Sequence, residues 1–146
     1  MTDDTVTVDI RPARDTDSLD QLIDAAWSRA QTVRGGRALL EQLWGSDLDA
    51  TAVRDALALE VGAGHVWVAV RAHEIIAGAL VRDACLRVMW VQPAFRRQRV
   101  ATALVEALLK GEGPPRDAWA LPGDRATKSL YESVGWKARL LTMRGE

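Results

Sequence analysis

An α/β fold with a mixed, mostly antiparallel sheet flanked by helices is what this sequence predicts, and three observations carry the prediction. Apolar residues recur at helical spacing between Leu19 and Ala58, the period switches to two from His65, and after Gln92 a basic turn leads from an apolar strand into an amphipathic helix.

Each element follows in chain order. Residues 5–10 alternate valine and isoleucine with polar residues, the pattern of a half-buried strand, and Pro12 ends it. Leu19, Leu22, Ile23, Ala26, Trp27 and Ala30 mark a first helix, behind an Asp15-Thr16-Asp17-Ser18 cluster that supplies N-cap candidates and first-turn acids. Gly35-Gly36 breaks the chain. Leu39, Leu40, Leu43 and Trp44 mark a second helix, Val53, Ala56, Leu57 and Ala58 a third or its continuation, and Gly62 and Gly64 close the helical section. Residues 65–71, 74–82 and 86–92 read as three strands joined by short turns at Ala72-His73 and Asp83-Ala84, an antiparallel meander. Val100, Leu104, Ala107 and Leu108 give an amphipathic helix that Gly111, Gly113 and Pro114-Pro115 interrupt. Residues 117–121 form a fifth strand. Asp124 caps a short helix with Ala126, Leu130 and Val134 on one face, and Gly135 stops it before a last strand over 136–143.

A chain of 146 residues, 48% hydrophobic and without repeats or long linkers, is expected to form one domain over 1–146. Its acidic, polar opening lacks the regions of a secretory signal, and apolar runs such as 75–81 are too short to cross a bilayer. The single cysteine, Cys85, forms no internal disulfide, which suits a reducing cytoplasm. With no His partner in sequence it reads as a small core or turn residue rather than a nucleophile. No His/Cys/Asp/Glu cluster has metal-ligand spacing, so no metal is expected. The net charge of −1 hides a split: residues 1–60 hold 12 acids and 6 bases, a balance of −6, and the remainder 8 acids and 13 bases. That asymmetry suggests an anionic partner for the C-terminal part, set against a merely solvated face. Nucleic acid is disfavoured, because the chain is not basic overall and its arginine cluster lacks interleaved aromatics beyond Phe95.

The junction from Val91 to Thr102 carries the anion-binding chemistry. A helix N-terminus presents unpaired N–H groups and the positive end of the helix dipole, and Arg96, Arg97 and Arg99 add permanent cations beside it. Phosphate is the natural guest, and an arginine-rich solvated turn the plain alternative.

The segment V-Q-P-A-F-R-R-Q-R-V-A-T-A-L from Val91 to Leu104 resembles the strand and pyrophosphate loop, R-x-x-G-x-G/A, of the GNAT acetyltransferase superfamily, with Arg96 and Ala101 matching the ends of the loop. The segment D-R-A-T-K-S-L-Y-E-S-V-G-W from Asp124 to Trp136 is similar to the family's helix N-x-x-A-x-x-L-Y-x-x-x-G-F/W. The resemblance spans nearly the whole chain. It implies a GNAT-like fold in which strands 86–91 and 117–121 part, and an N-acetyltransferase moving an acetyl group from acetyl-coenzyme A to a primary amine of a small molecule or peptide. A catalytically weak acyl-CoA-binding or regulatory module is the alternative. Family members often dimerise, so a homodimer is implied as well.

Residue by residue, the resemblance implies that main-chain groups of Met89, Trp90 and Val91 pair with the pantetheine arm and that Arg96, Arg97, Gln98, Arg99, Val100, Ala101 and Thr102 surround the pyrophosphate. Asp124 and Lys128 stand beside it, Asp124 replacing the common Asn and bringing a negative charge. Tyr131, the only tyrosine, falls on the family's tyrosine and would protonate the departing thiolate. A main-chain N–H near Val91 would hold the oxyanion. Trp119 either lines the acyl or substrate channel or packs in the core. For a general base only His73, Glu74 and Asp83 are at hand near strand ends, and ordered water would serve instead.

Arg99 stands where the family has glycine. Its Cβ carries a cost if φ must be positive, and the loop binds if the backbone stays in the allowed region; the guanidinium is expected to face phosphate or solvent and the site to be competent, with a weakened site the competing reading. The acidic first 60 residues favour a cationic acceptor, with Glu41, Asp47 and Asp49 as candidates to steer it.

Overall fold

The computed structural model describes residues 7–32, 34–46, 48–96, 99–111, 113–120 and 125–137. Their order is β1 (Asp9–Pro12), α1 (Asp20–Thr32), α2 (Gly36–Trp44), α3 (Ala50–Gly62), β2 (Val66–Arg71), β3 (Glu74–Arg82), β4 (Cys85–Val91), a 3-10 turn (Pro93–Phe95), α4 (Val100–Lys110), β5 (Asp117–Ala118) and α5 (Arg125–Ser133). The sheet runs β1-β2-β3-β4-β5, antiparallel up to β4, with β5 parallel to β4. The expected α/β fold with a mixed, mostly antiparallel sheet is the fold observed.

The sheet is covered on both faces, which is why β2, β3 and β4 read as nearly continuous apolar runs. On one face α1, α2 and α3 bury Ile23, Leu40, Leu43, Val53 and Leu57 against Val66, Val68, Leu80 and Trp90. On the other, Val100, Leu104, Val105 and Leu108 of α4 and Tyr131 of α5 pack on Ala69, Ile76, Ala77, Ala79 and Leu86. Both hairpins are two-residue turns with left-handed backbone at each central residue, Ala72 (φ 48) and His73 (φ 66), then Asp83 (φ 55) and Ala84 (φ 58). That geometry matches the twist of the flanking strands.

Several expectations shift. Pro12 ends β1 as expected, opposite Trp67 on an edge strand, but the strand starts at Asp9 rather than at residue 5. α1 begins at Asp20, since Asp17 is drawn away by two 2.8 Å bonds from Arg11 and one of 2.7 Å from the Arg14 N–H. These donors hold the Asp17 carboxyl below its ordinary 3.8. Asp49 caps α3, accepting from the Ala52 N–H at 2.8 Å. α5 buries Tyr131, with Leu130 and Val134 half-buried beside it, whereas Ala126 is exposed. The strand expected over 117–121 is paired only as Asp117–Ala118. Leu121, the capping Asp124 and all but Trp136 and Lys137 of the last expected strand lie outside the described residues.

Sequence reading missed a buried ionic cluster beneath α2 and α3. Glu60 is only 9% exposed and holds Arg82 at 3.3 Å, with His65 Nδ1 at 3.5 Å; Arg82 also reaches the Leu43 carbonyl. It joins the end of α3 to the ends of β2 and β3.

Candidate active site

The site begins where the sheet opens. β4 and β5 pair only at Cys85↔Asp117 and Leu86↔Ala118, and the last bond between them runs from the Trp119 N–H to the Leu86 carbonyl at 3.0 Å. Among the described residues, which end at Ala120 on this side, no pairing continues beyond Leu86.

The register of β3 on β4 fixes which main-chain groups face that opening. Gln92 N–H donates to the Ile76 carbonyl at 2.9 Å, so Trp90 and Val88, at even steps from Gln92, turn their N–H and C=O toward β3. Met89 and Val91, at odd steps, turn theirs to the open edge. Leu80 faces Val88 while Val81 faces Leu86, which leaves Arg87 as the extra residue of a β-bulge. Side chains divide accordingly, Trp90 and Val88 toward α1–α3, Met89 and Val91 toward α4 and α5.

At the far end of β4 the turn into α4 is anchored by Gln92, buried, its Nε2 donating to the Ile75 carbonyl at 2.5 Å. Pro93 opens the 3-10 turn, and Phe95 packs into the core under the Arg71 guanidinium at 5.5 Å. Arg96 and Arg99 are exposed. Arg99 occupies the N-cap position of α4 with φ 61 and ψ 19. The cost set against an arginine here, a positive φ, is therefore incurred: Arg99 takes the left-handed conformation that glycine adopts freely, with its Cβ in place. Arg99 makes no side-chain cap bond and has no acceptor to offer, so it leaves the first-turn amides around Ala101 and Thr102 without a cap. Val100 is buried and fixes the helix on the sheet. Arg97 and Gln98 lie outside the described residues.

Tyr131 is buried on α5 in the same apolar cluster as Met89, Val91 and Phe95, its ring 5.6 Å from that of Trp136. Its carbonyl accepts from Val134 and Trp136 N–H and closes the helix. Lys128 is exposed and 3.8 Å from Glu132 one turn on, and Asp124 lies outside the described residues. At the vertex of the opening Trp119 carries the Arg87 guanidinium over its ring at 4.2 Å, while packing against the α1–α3 core.

Of the acids expected to steer an acceptor, Glu41 is held by Arg37 Nε at 3.2 Å, Asp49 is a helix cap, and Asp47 lies outside the described residues. Asp24, an acid that sequence reading passed over, does line a groove. A groove of about 500 Å³ lies between Gln21, Asp24, Ser28 and Thr32 on one stripe of α1 and Gln92, Pro93 and Arg96. The 3-4-4 spacing of those α1 polar residues was the available signal. His73, Glu74 and Asp83 sit exposed at hairpin turns, Asp83 3.8 Å from Arg87. Cys85 is buried at the β4–β5 junction, where loss of solvent pushes its thiol up.

No described helix is long and apolar enough to cross a membrane. No curated protein matches the chain. Among solved structures it is similar to the PaiA N-acetyltransferase of Thermoplasma acidophilum in complex with coenzyme A (15% identity, 92% of each chain covered, TM-score 0.65). It is also similar to AAC(6')-Iy in complex with the bisubstrate analogue CoA-S-monomethyl-acetylneamine (20% identity, 97% of this chain and 99% of that one, TM-score 0.56). The aminoglycoside 6'-N-acetyltransferase AAC(6')-Ih of Acinetobacter baumannii shares 18% identity over 96% of this chain and 99% of its own, TM-score 0.54. These likenesses concern the fold. Residues 62–138, more than half of the sequence, match the Acetyltransferase (GNAT) domain, and the chain belongs to the GNAT acetyltransferase family.

Proposed function

We propose that the 146 residues act as one cytoplasmic N-acetyltransferase domain that moves an acetyl group from acetyl-coenzyme A to the primary amine of a small molecule or peptide. The observation that carries this reading is the opening after Leu86, with the main chain of Met89 and Val91 turned into it and the uncapped N-terminus of α4 at its end. A strand edge suits the amides of a pantetheine arm, and helix amides beside Arg96, Arg97, Gln98 and Arg99 suit a pyrophosphate. Lys128 adds charge from α5.

Acetyl-coenzyme A supplies the acyl group as a thioester. The amine nitrogen bonds to the carbonyl carbon, the carbon–sulfur bond breaks, and the amine gives its surplus proton to water. Tyr131 returns a proton to the sulfur as general acid, and the Val91 N–H faces the carbonyl oxygen, where negative charge grows. Positioning of the amine supplies much of the remaining acceleration. The α1 groove, with hydroxyls, amides and the Asp24 carboxylate, suits a hydroxylated cationic amine; two of the similar structures bear aminoglycoside acetyltransferase names or ligands.

Thiol release from acetyl-coenzyme A with a panel of amines, alongside calorimetry with coenzyme A, tests the assignment. Amine-dependent thiol release supports it, and Asp24→Asn should lower kcat/KM for cationic acceptors several-fold at low salt and less at high salt. The left-handed Arg99 favours one second reading, a module that binds acyl-coenzyme A and turns it over poorly; tight binding with no amine-dependent release identifies that case.

A further inference from the structure

We infer that the groove between α1 and the turn after β4 selects an acceptor with two charged handles besides its reacting amine, a second ammonium for Asp24 and a carboxylate for Arg96, as in a diamino acid. The inference rests on the proposed acetyl transfer and deepens it, because that reading leaves the acceptor as any primary amine of a small molecule or peptide.

The two walls of the groove carry opposite charge. Asp24 stands on the α1 stripe and Arg96 on the turn that follows β4, both exposed, and among the described residues neither takes part in an ion pair. Opposite charges that line one groove of about 500 Å³ without closing on each other leave space between them for a ligand. That volume lies within the range of small-molecule sites. A fixed polar group lines the groove with them. Gln92 is only 8% exposed and its Nε2 is spent on the Ile75 carbonyl, so its amide oxygen is the end left to accept from a ligand N–H. Gln92 also follows Val91 directly, which sets the groove one residue from the N–H proposed to face the thioester carbonyl.

Charge chemistry then names the ligand. A carboxylate beside an ammonium favours the protonated form, whereas the nitrogen that attacks a thioester must be neutral. Asp24 therefore suits an ammonium that is not the nucleophile, and the acceptor carries a second amine. A plain diamine meets that need but leaves Arg96 facing like charge. A carboxylate on the acceptor removes the conflict, since the planar guanidinium pairs with it through two parallel N–H bonds. One ammonium and one carboxylate are thus matched wall to wall, and the remaining uncharged amine is free to attack the thioester carbon. Arg99, at the N-cap itself, stays with the helix amides proposed for the pyrophosphate.

Three amines that differ by one handle supply the test: lysine, cadaverine, which lacks the carboxylate, and aminocaproate, which lacks the second ammonium. Thiol release from acetyl-coenzyme A gives kcat/KM for each with the parent, Arg96→Gln and Asp24→Asn, and ratios between acceptors cancel any change in donor binding. With the parent, lysine should exceed each analogue by about fivefold, the worth of one solvent-screened ion pair. Arg96→Gln should bring lysine level with cadaverine, Asp24→Asn should bring it level with aminocaproate, and both preferences should shrink with salt. Both side chains are exposed, so neither change empties the core, and circular dichroism checks the fold. Equal kcat/KM for the three amines with the parent, or preferences that survive both variants, overturn the two-handled acceptor and leave the transferase standing. Thiol release with other amines and none of these three does the same. A parent that binds coenzyme A without any release is judged by calorimetric binding of the three amines to the coenzyme A complex, where lysine should again lead and equal binding overturns the inference. A parent that neither binds coenzyme A nor releases thiol overturns both.

Discussion

Replacing Arg99 separates two quantities that the native residue combines, a backbone held at φ 61 and a guanidinium beside the start of α4. A left-handed conformation costs a residue with a Cβ about 1–2 kcal/mol, and glycine escapes that cost while losing about 0.5–1 kcal/mol more chain entropy on folding. The balance favours Arg99→Gly by about 0.5–1 kcal/mol, which raises the melting temperature of a chain this size by about 2–3 °C. Arg99→Ala is the control, since it removes the charge and keeps the Cβ. Its melting temperature should stay near the parent's, so the gap between the two variants reads the backbone alone. Coenzyme A affinity reads the charge: both variants should bind several-fold more weakly, as expected for one lost, solvent-screened contact to phosphate of about 1 kcal/mol. Thermal unfolding followed by circular dichroism and titration calorimetry supply the two readouts. Equal melting temperatures for Arg99→Gly and Arg99→Ala would refute the strain argument. Coenzyme A bound ten times more tightly by Arg99→Gly, about 1.4 kcal/mol, would show that the native arginine obstructs the site and favour the weakly catalytic module.

Tyr131→Phe should lower turnover about 100-fold or more under chemistry-limited conditions while leaving coenzyme A affinity nearly unchanged; equal turnover assigns Tyr131 to packing. The Asp17 carboxyl, held below its ordinary 3.8 by the Arg11 hydrogen bonds and the Arg14 N–H, stabilises the fold above that pH and loses the contribution as pH falls through its lowered folded value. Asp17→Asn should therefore cost about 1–2 kcal/mol at neutral pH in urea unfolding, with the difference shrinking as pH falls below the ordinary 3.8 and through the lowered folded value; a pH-independent difference defeats the linkage. Glu60→Ala should cost about 2–3 kcal/mol by leaving Arg82 unpaired, below the cost of breaking a fully buried pair because Arg82 stays partly wet. Glu60→Leu combined with Arg82→Met should cost less than the sum of the single changes, and strict additivity would sink the coupling.

The meander was legible because its signals are local and repeated. β3 falls on 74–82 as expected, and β2 and β4 differ from expectation by single residues, since each strand is buried on both faces and the turns between them have two residues. The start of α4 was legible through its basic turn. Three features were not. The Arg87 bulge is a register shift, visible only when β3 and β4 are laid together. The Glu60–Arg82 pair joins residues 22 apart whose charges read separately as solvated faces. Asp24 stood among the solvated residues of α1 until Gln92, Pro93 and Arg96 supplied the opposite wall of its groove.

Positive φ at residues with a Cβ is a further feature that residue types did not announce. Ala72, His73, Asp83, Ala84 and Arg99 all adopt it, and only Asp83 and His73 are of types for which it is familiar. At the two hairpins the cause is structural. β2, β3 and β4 are paired along their lengths and buried on both faces, so the ladder dictates left-handed turns and outweighs the local penalty of alanine there. Arg99 has no such ladder. It stands directly before Val100, which is buried with Leu104 on the sheet and fixes where α4 begins. The residue that carries this strained backbone also has no acceptor in its side chain, so one position accounts both for the left-handed turn and for the missing N-cap bond of α4.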